Sequence, residues 1–256
     1  MYLIKEVAIL SFLTFGDKNN KSLMMIHGMA STAMLCYGPL LKYLEDYYVI
    51  LVEVDGHSDT NPGDFISLRR SCDKIEIYVK EELGGHLYAL SGFSMGGTMA
   101  VELAGRGNIE IERLHLDAAF TVKMGVLKEP YKFAFSKGIR WIQSGRKIPK
   151  FLMDGMMGKD NNSTVEMLYQ NVTQTTLKNA CEDIYTYDIP DGLREFRGPA
   201  LFWHGENEPY PVESAKMLKE YMPQMETEVF PGMGHGQFLH EHPEEYAEKL
   251  RKFLKD

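Results

Sequence analysis

Cysteine is scarce and unpatterned. Cys36, Cys72 and Cys181 are odd in number and widely spaced, with no C-x-x-C and no histidine spacing that suggests zinc, which favours a reduced, cytoplasmic setting. Long apolar runs are missing as well. The stretch from Val7 to Phe15 is too short to span a bilayer and is preceded by Glu6. It leads into Gly16-Asp17-Lys18-Asn19-Asn20 instead of a small-residue cleavage site, so it reads as a first strand ending in a turn, with no stable membrane insertion. Positive charge is in deficit: 28 Lys and Arg stand against 36 Asp and Glu, a formal net charge of −8. That balance argues against a nucleic-acid partner. Internal repeats and low-complexity tracts are also lacking.

What is present fits one large α/β domain. At 256 residues, 44% hydrophobic and 25% charged, the chain can bury a sizeable core and is short for two independent units. Leu23-Met24-Met25-Ile26 ends in His27-Gly28, and the run from Tyr48 to Val54 ends in Asp55-Gly56. Both read as buried strands of a parallel sheet. The span 34–47 is predicted as a crossover helix, interrupted early by Gly38-Pro39. Leu68, Cys72, Ile75, Val79 and Leu83 recur at helical steps and so share one face of a second helix. Further strands are predicted at Ile111 to Leu116, Ala200 to Trp203 and Glu226 to Phe230, with a closing amphipathic helix from Pro243 to Leu254. This alternation makes a doubly wound, mainly parallel sheet with helices on both faces. Ligands then bind beyond the carboxyl ends of the strands.

Residues 121–178 break the rhythm. Aromatics (Tyr131, Phe133, Phe135, Trp141, Phe151, Tyr169) and methionines (Met124, Met153, Met156, Met157, Met167) are frequent there. The segment is predicted as a helical cap inserted in a core made of 1–120 and 179–256. Such a cap excludes water and shapes a pocket; most of its apolar side chains would serve to pack it onto the body. It holds ten Lys and Arg against four Asp and Glu, a charge that either attracts an anionic substrate or lies on solvated helix faces.

The chemistry centres on Gly92-Phe93-Ser94-Met95-Gly96-Gly97, which follows the apolar run Leu87 to Leu90 and leads into Thr98 to Leu103. Strand, tight turn and helix is the context that a nucleophile elbow needs. A serine hydroxyl is a poor nucleophile unless a base reaches it and backbone N–H groups hold the developing oxyanion. The turn strains the serine and crowds its flanks, and Gly92, Gly96 and Gly97 relieve the crowding.

Among eight histidines, His235 is the candidate base: it stands in Pro231-Gly232-Met233-Gly234-His235-Gly236, after the last strand and before the final helix. His240 and His242 sit at the helix approach as capping or surface groups. His27 and His204 end strands and are expected to hold loop geometry, while His57, His86 and His115 carry no argument for catalysis. The orienting acid should follow a strand and precede the histidine. Glu208, in His204-Gly205-Glu206-Asn207-Glu208-Pro209, is the first choice, with Glu206 expected to point elsewhere. Asp183 or Asp188 would serve if the acid came from an earlier strand. Oxyanion donors are expected from the N–H of Met95 and, after His27-Gly28, from the N–H of Met29, the lesser alternative for Met29 being an ordinary turn residue.

With these motifs the chain resembles the serine-nucleophile branch of the α/β-hydrolase superfamily, esterase- and lipase-like with a helical cap. The likeness rests on His27-Gly28 as oxyanion loop, Gly92 to Gly97 as elbow, Gly205 to Pro209 as acid loop and Gly234-His235 as histidine loop, in the order Ser, acid, His. Two departures stand out: glutamate occupies the acid position where aspartate is usual, and Asp55-Gly56-His57-Ser58-Asp59 is a shortened form of the family's glycine-rich loop. The resemblance implies acyl transfer from a small-molecule ester or acyl substrate, an anionic one suiting the basic cap, with no cofactor or metal. Dehalogenases and epoxide hydrolases of the superfamily use an aspartate at the elbow, which Ser94 argues against. The first expectation is a carboxylesterase working through an acyl-enzyme. The alternatives are a C–C bond hydrolase or lyase-like enzyme using the same residues on an acidic metabolite, and a binding protein that keeps the fold.

Overall fold

A computed structural model of the chain describes residues 3–7, 10–59, 63–146, 149–150 and 167–255. Its strands are β1 (Leu3–Val7), β2 (Leu10–Phe15), β3 (Ser22–Ile26), β4 (Tyr48–Glu53), β5 (His86–Phe93), β6 (Glu110–Asp117), β7 (Ala200–Gly205) and β8 (Glu226–Phe230). They form one sheet in the order β1-β2-β4-β3-β5-β6-β7-β8. The two pairings made by β2 are antiparallel and the remaining five are parallel. Winding reverses at β3, which has β4 on one side and β5 on the other. Loops leaving the carboxyl ends of β3 and β5 therefore diverge and open a crevice between them.

Helices α1 (Ala33–Tyr37), α2 (Leu68–Leu83), α3 (Met95–Arg106), α4 (Lys128–Gln143), α5 (Gln174–Tyr185), α6 (Pro209–Tyr221), α7 (Gln237–Glu241) and α8 (Pro243–Lys255) complete the described elements, with short 3-10 turns between some of them. Successive strand residues feed opposite faces of the sheet. Met24, Ile26, Ile50, Val52 and Leu90 pack with Leu68, Cys72, Ile75 and Val79 of α2 and with Met99 and Leu103 of α3. The intervening Leu23, Met25, Val49, Leu51 and Ala89 pack with Tyr37 of α1 and Tyr246, Leu250 and Leu254 of α8. Helix α2 matches its predicted apolar face, and its ends are fixed locally. The Ser67 side chain accepts the Arg70 N–H at the start, and Gly84, at φ 66°, supplies the left-handed residue that ends it.

Two predicted elements differ. The stretch from Val7 to Phe15 is not one strand: β4 pairs with Ser11 to Phe15, and the preceding chain folds back as β1 along the outer side of β2. The fold-back gives β2 a partner on an edge that would otherwise be unpaired. The helix predicted over 34–47 is instead the short α1 followed by a 3-10 stretch over Gly38–Tyr43. Pro39, with no N–H, cannot continue the α-helical ladder.

Between β6 and β7 the described residues are largely helical. Ala30, Ile139, Leu168, Val172 and Leu177 form a small apolar cluster that joins α4 and the start of α5 to the loop after β3. Phe151, Met153, Met156 and Met157 lie outside the described residues. Among the described residues no helix is long and apolar enough to cross a membrane. The three cysteines are buried free thiols.

Candidate active site

The elbow is built by close packing. A Cβ on Gly92 would lie 2.2 Å from the Gly96 carbonyl oxygen, and one on Gly96 would lie 2.0 Å from the Ile26 carbonyl oxygen. Only glycine lets α3 start this close to the ends of β3 and β5. Ser94, between them, is held at φ 55°, ψ −117°, close to the first central position of a type II′ turn, which favours glycine. Ser94, Ala30 and Ala118 are the non-glycine residues with positive φ among those described. Each follows the carboxyl end of a neighbouring strand. Backbone strain is thus concentrated around the crevice, as it is at functional sites.

The Ser94 N–H donates to the Asp117 carbonyl, 2.8 Å away, which ties the elbow to the end of β6. Ser94 Oγ lies 2.9 Å from His235 Nε2, and His235 Nδ1 lies 2.5 Å from Glu208 Oε2. With Nδ1 protonated, the ring donates to Glu208 and leaves Nε2 to accept the Ser94 hydroxyl proton. The second carboxylate oxygen, Oε1, accepts the Gly205 N–H at 2.6 Å, which fixes the acid to the end of β7. Glu208 is buried with a side chain 3% exposed, whereas the His235 side chain is 21% exposed. The acid is therefore hidden while the ring edge reaches solvent. Phe93 packs on the imidazole with ring centroids 4.9 Å apart. Burial acts to lower the His235 pKa, but the Glu208 charge, its hydrogen bond and the Asp117 charge outweigh it, leaving the group above its ordinary value.

A Cβ on Gly28 would stand 3.3 Å from the Ser94 Cβ, so the loop carrying Met29 runs directly beside the elbow. Met95 opens α3. Asp183 accepts the Leu68 N–H at 2.5 Å, Asp188 pairs with Lys123, and Glu206 accepts the Gly232 N–H at 2.8 Å. The structure brings Glu208 to the His235 ring and engages these three elsewhere.

A model of the alpha/beta hydrolase family matches residues 23–249. The chain belongs to the alpha/beta hydrolase family. The resemblance read from the four loops holds at that level. A curated relative, the pimeloyl-[acyl-carrier protein] methyl ester esterase of Nitrosomonas europaea, is 23% identical over 90% of this chain and 94% of its own. An alpha/beta hydrolase family protein from Desulfitobacterium hafniense superposes with a TM-score of 0.84 at 23% identity, covering 95% of this chain and 99% of that one. Carboxylesterase CesB from Bacillus subtilis gives 0.75 at 19% identity, over 99% and 91%. These two likenesses concern the fold.

The other histidines have structural surroundings. His27 Nδ1 meets the Gly28 carbonyl at 2.8 Å and Nε2 accepts the Val54 N–H at 3.1 Å. Burial, with a smaller contribution from His57, drives its pKa down to about 3, so it is a neutral brace for the loop. His204 Nδ1 meets the Gly205 carbonyl at 2.8 Å. A second serine–histidine contact, Ser91 Oγ to His115 Nδ1 at 2.9 Å, lies inside the sheet where no substrate reaches it.

Two buried carboxyls near the crevice were not singled out from the sequence: Asp117, closing β6, and Glu53, closing β4. A strand-end carboxylate in an apolar run is the signal that marks both. Glu53 Oε1 accepts the Ala33 N–H at 2.9 Å and so anchors the far end of the Met29 loop. Burial raises its pKa to about 7. A folded-state value above the unfolded one means that its contribution is full below about 4.5 and is lost as pH rises through about 7. Glu53→Gln, which keeps an acceptor for Ala33, is expected to raise stability at pH 8 by on the order of 1 to 3 kcal/mol, with a higher melting temperature, and to leave both nearly unchanged at pH 5. Thermal melts at the two pH values check this; equal changes at both would point to packing instead of charge.

Proposed function

We propose that this protein is a serine hydrolase that cleaves a carboxylic ester through an acyl-enzyme. The observation that carries the reading is the continuous contact from Ser94 Oγ to His235 to Glu208, at 2.9 Å and 2.5 Å. Ser94 Oγ attacks the carbonyl carbon as its proton passes to His235 Nε2. The imidazolium then returns the proton to the leaving alcohol as the C–O bond breaks. Water, deprotonated by His235, attacks the acyl carbon; the bond to Ser94 Oγ then breaks, the imidazolium returns its proton to that oxygen, and the acid leaves. Glu208 holds Nδ1–H and stabilises the cation that forms on the ring. The N–H groups of Met95, at the head of α3, and Met29, on the adjoining loop, are assigned to the oxyanion.

Residues 121–178 are assigned as the cap over this crevice, supported by the apolar cluster that links α4, Leu168 and Val172 to Ala30. Its positive charge is partly spent within the protein: Lys128 and Lys132 pair with Glu182, and Lys123 pairs with Asp188. That pairing gives the anionic-substrate reading little support. The names of the relatives, a pimeloyl-[acyl-carrier protein] methyl ester esterase and a carboxylesterase, support an ester as the substrate.

A fluorophosphonate probe is expected to label Ser94, and Ser94→Ala is expected to abolish labelling. Short p-nitrophenyl and methyl esters should turn over with an initial burst. A well-folded protein left unlabelled would overturn the reading, whereas slow ester turnover beside rapid processing of an anionic diketone would move it to C–C cleavage.

A further inference from the structure

Asp117 ends β6 within the same cluster of loops, and its main chain already holds the elbow through the Ser94 N–H. The residue is 7% exposed. Its Oδ2 accepts the Tyr246 hydroxyl, 3.1 Å away, from α8. The groups that act on it electrostatically come from separate elements: Glu208 from the loop after β7, His235 from the loop after β8, Tyr246 from α8, and Tyr37 and Cys36 from α1. Asp117 stands beside Phe93 in the β5–β6 register, and the Phe93 ring packs on the His235 imidazole with centroids 4.9 Å apart, so Asp117 and Glu208 flank one imidazole in a buried neighbourhood.

Glu208 accepts hydrogen bonds from Gly205 N–H and from the ring. Asp117 accepts the Tyr246 hydroxyl from a buried position, and burial favours its protonated form. Burial first, then the Glu208 charge, raises its pKa to about 7, against the Tyr246 hydrogen bond and the His235 charge.

We propose that Asp117 is a positioning residue, a second carboxyl that acts through His235 by favouring its imidazolium form. It touches neither substrate nor the reacting atoms. As Asp117 ionises, the ring gains a second negative neighbour and becomes a stronger base, and the cation formed when Ser94 gives up its proton is better stabilised. The inference rests on the assignment of His235 as base made under Proposed function.

The test uses the full chain and the pH dependence of fluorophosphonate labelling between pH 4.5 and 9. In Asp117→Asn, which keeps an acceptor for Tyr246, the acid limb is expected to move to lower pH by roughly one unit. Tyr246→Phe is the second variant. Loss of the hydroxyl keeps Asp117 protonated to higher pH, so its limb should move in the same direction by less. Titration of the His235 ring by NMR in the Ser94→Ala background should show the same displacement without any reaction. If wild-type protein labels but the limb stays in place in whichever of the two variants fold, the role of Asp117 is overturned and the base assignment stands. If wild-type protein never labels, the base assignment fails first.

Discussion

Turnover of an ester is expected to fall about a million-fold when Ser94 becomes alanine, with the fold retained. No other group occupies the position: Ser94 Oγ is the atom that faces His235 Nε2, and its backbone conformation aims it there. Ser94→Gly separates the chemistry from the strain. Both variants lose the hydroxyl, but only glycine is at ease at φ 55°, ψ −117°. Strain at such a position costs on the order of 1 to 3 kcal/mol, and the entropy of an added glycine offsets about 0.5 to 1 kcal/mol of the relief. Ser94→Gly should therefore melt higher than wild type and Ser94→Ala should not. Kinetics on the best ester and a pair of thermal melts decide both parts. An active Ser94→Ala protein would remove the nucleophile from the proposed mechanism, and a glycine variant no more stable than the alanine one would remove the strain.

The elbow was legible in the sequence because its glycines answer to a steric demand that no other residue meets, as the 2.0 Å approach of Gly96 to the Ile26 carbonyl makes plain. Helix α2 was legible through periodicity, since it presents one face to a core. The first strand and the 34–47 crossover were not, because pairing partners and the missing N–H of Pro39 outweigh a run of apolar residues. Helices α6 and α7 were missed for a related reason: they flank the Glu208 and His235 loops, where the pattern is read as polar loop. Asp117 and Glu53 went unnoticed because their importance lies in what surrounds them. A carboxylate at a strand end looks alike in sequence whether it faces water or a second carboxyl.

Glu208→Gln is expected to lower turnover by about 10^4-fold with little change in packing, because the amide has the shape of the carboxylate and differs in hydrogen-bonding capacity. Its oxygen would still accept the Gly205 N–H, the bond that Oε1 makes at 2.6 Å. The NH2 group would then face His235 Nδ1, where Oε2 stands at 2.5 Å. Nδ1 must become the acceptor, so the ring proton moves to Nε2 and points at Ser94 Oγ. An imidazole in that tautomer has no lone pair to take the serine proton, and the ring also loses the charge that holds its pKa up. Asp183→Asn and Asp188→Asn should be close to neutral, since those carboxylates bind Leu68 N–H and Lys123. Steady-state rates on one ester across the three variants test the assignment. Near-normal activity in Glu208→Gln, with collapse in either aspartate variant, would transfer the orienting role to that aspartate. A uniform loss in all three would mean that the substitutions act through stability, which melts on the same samples would reveal.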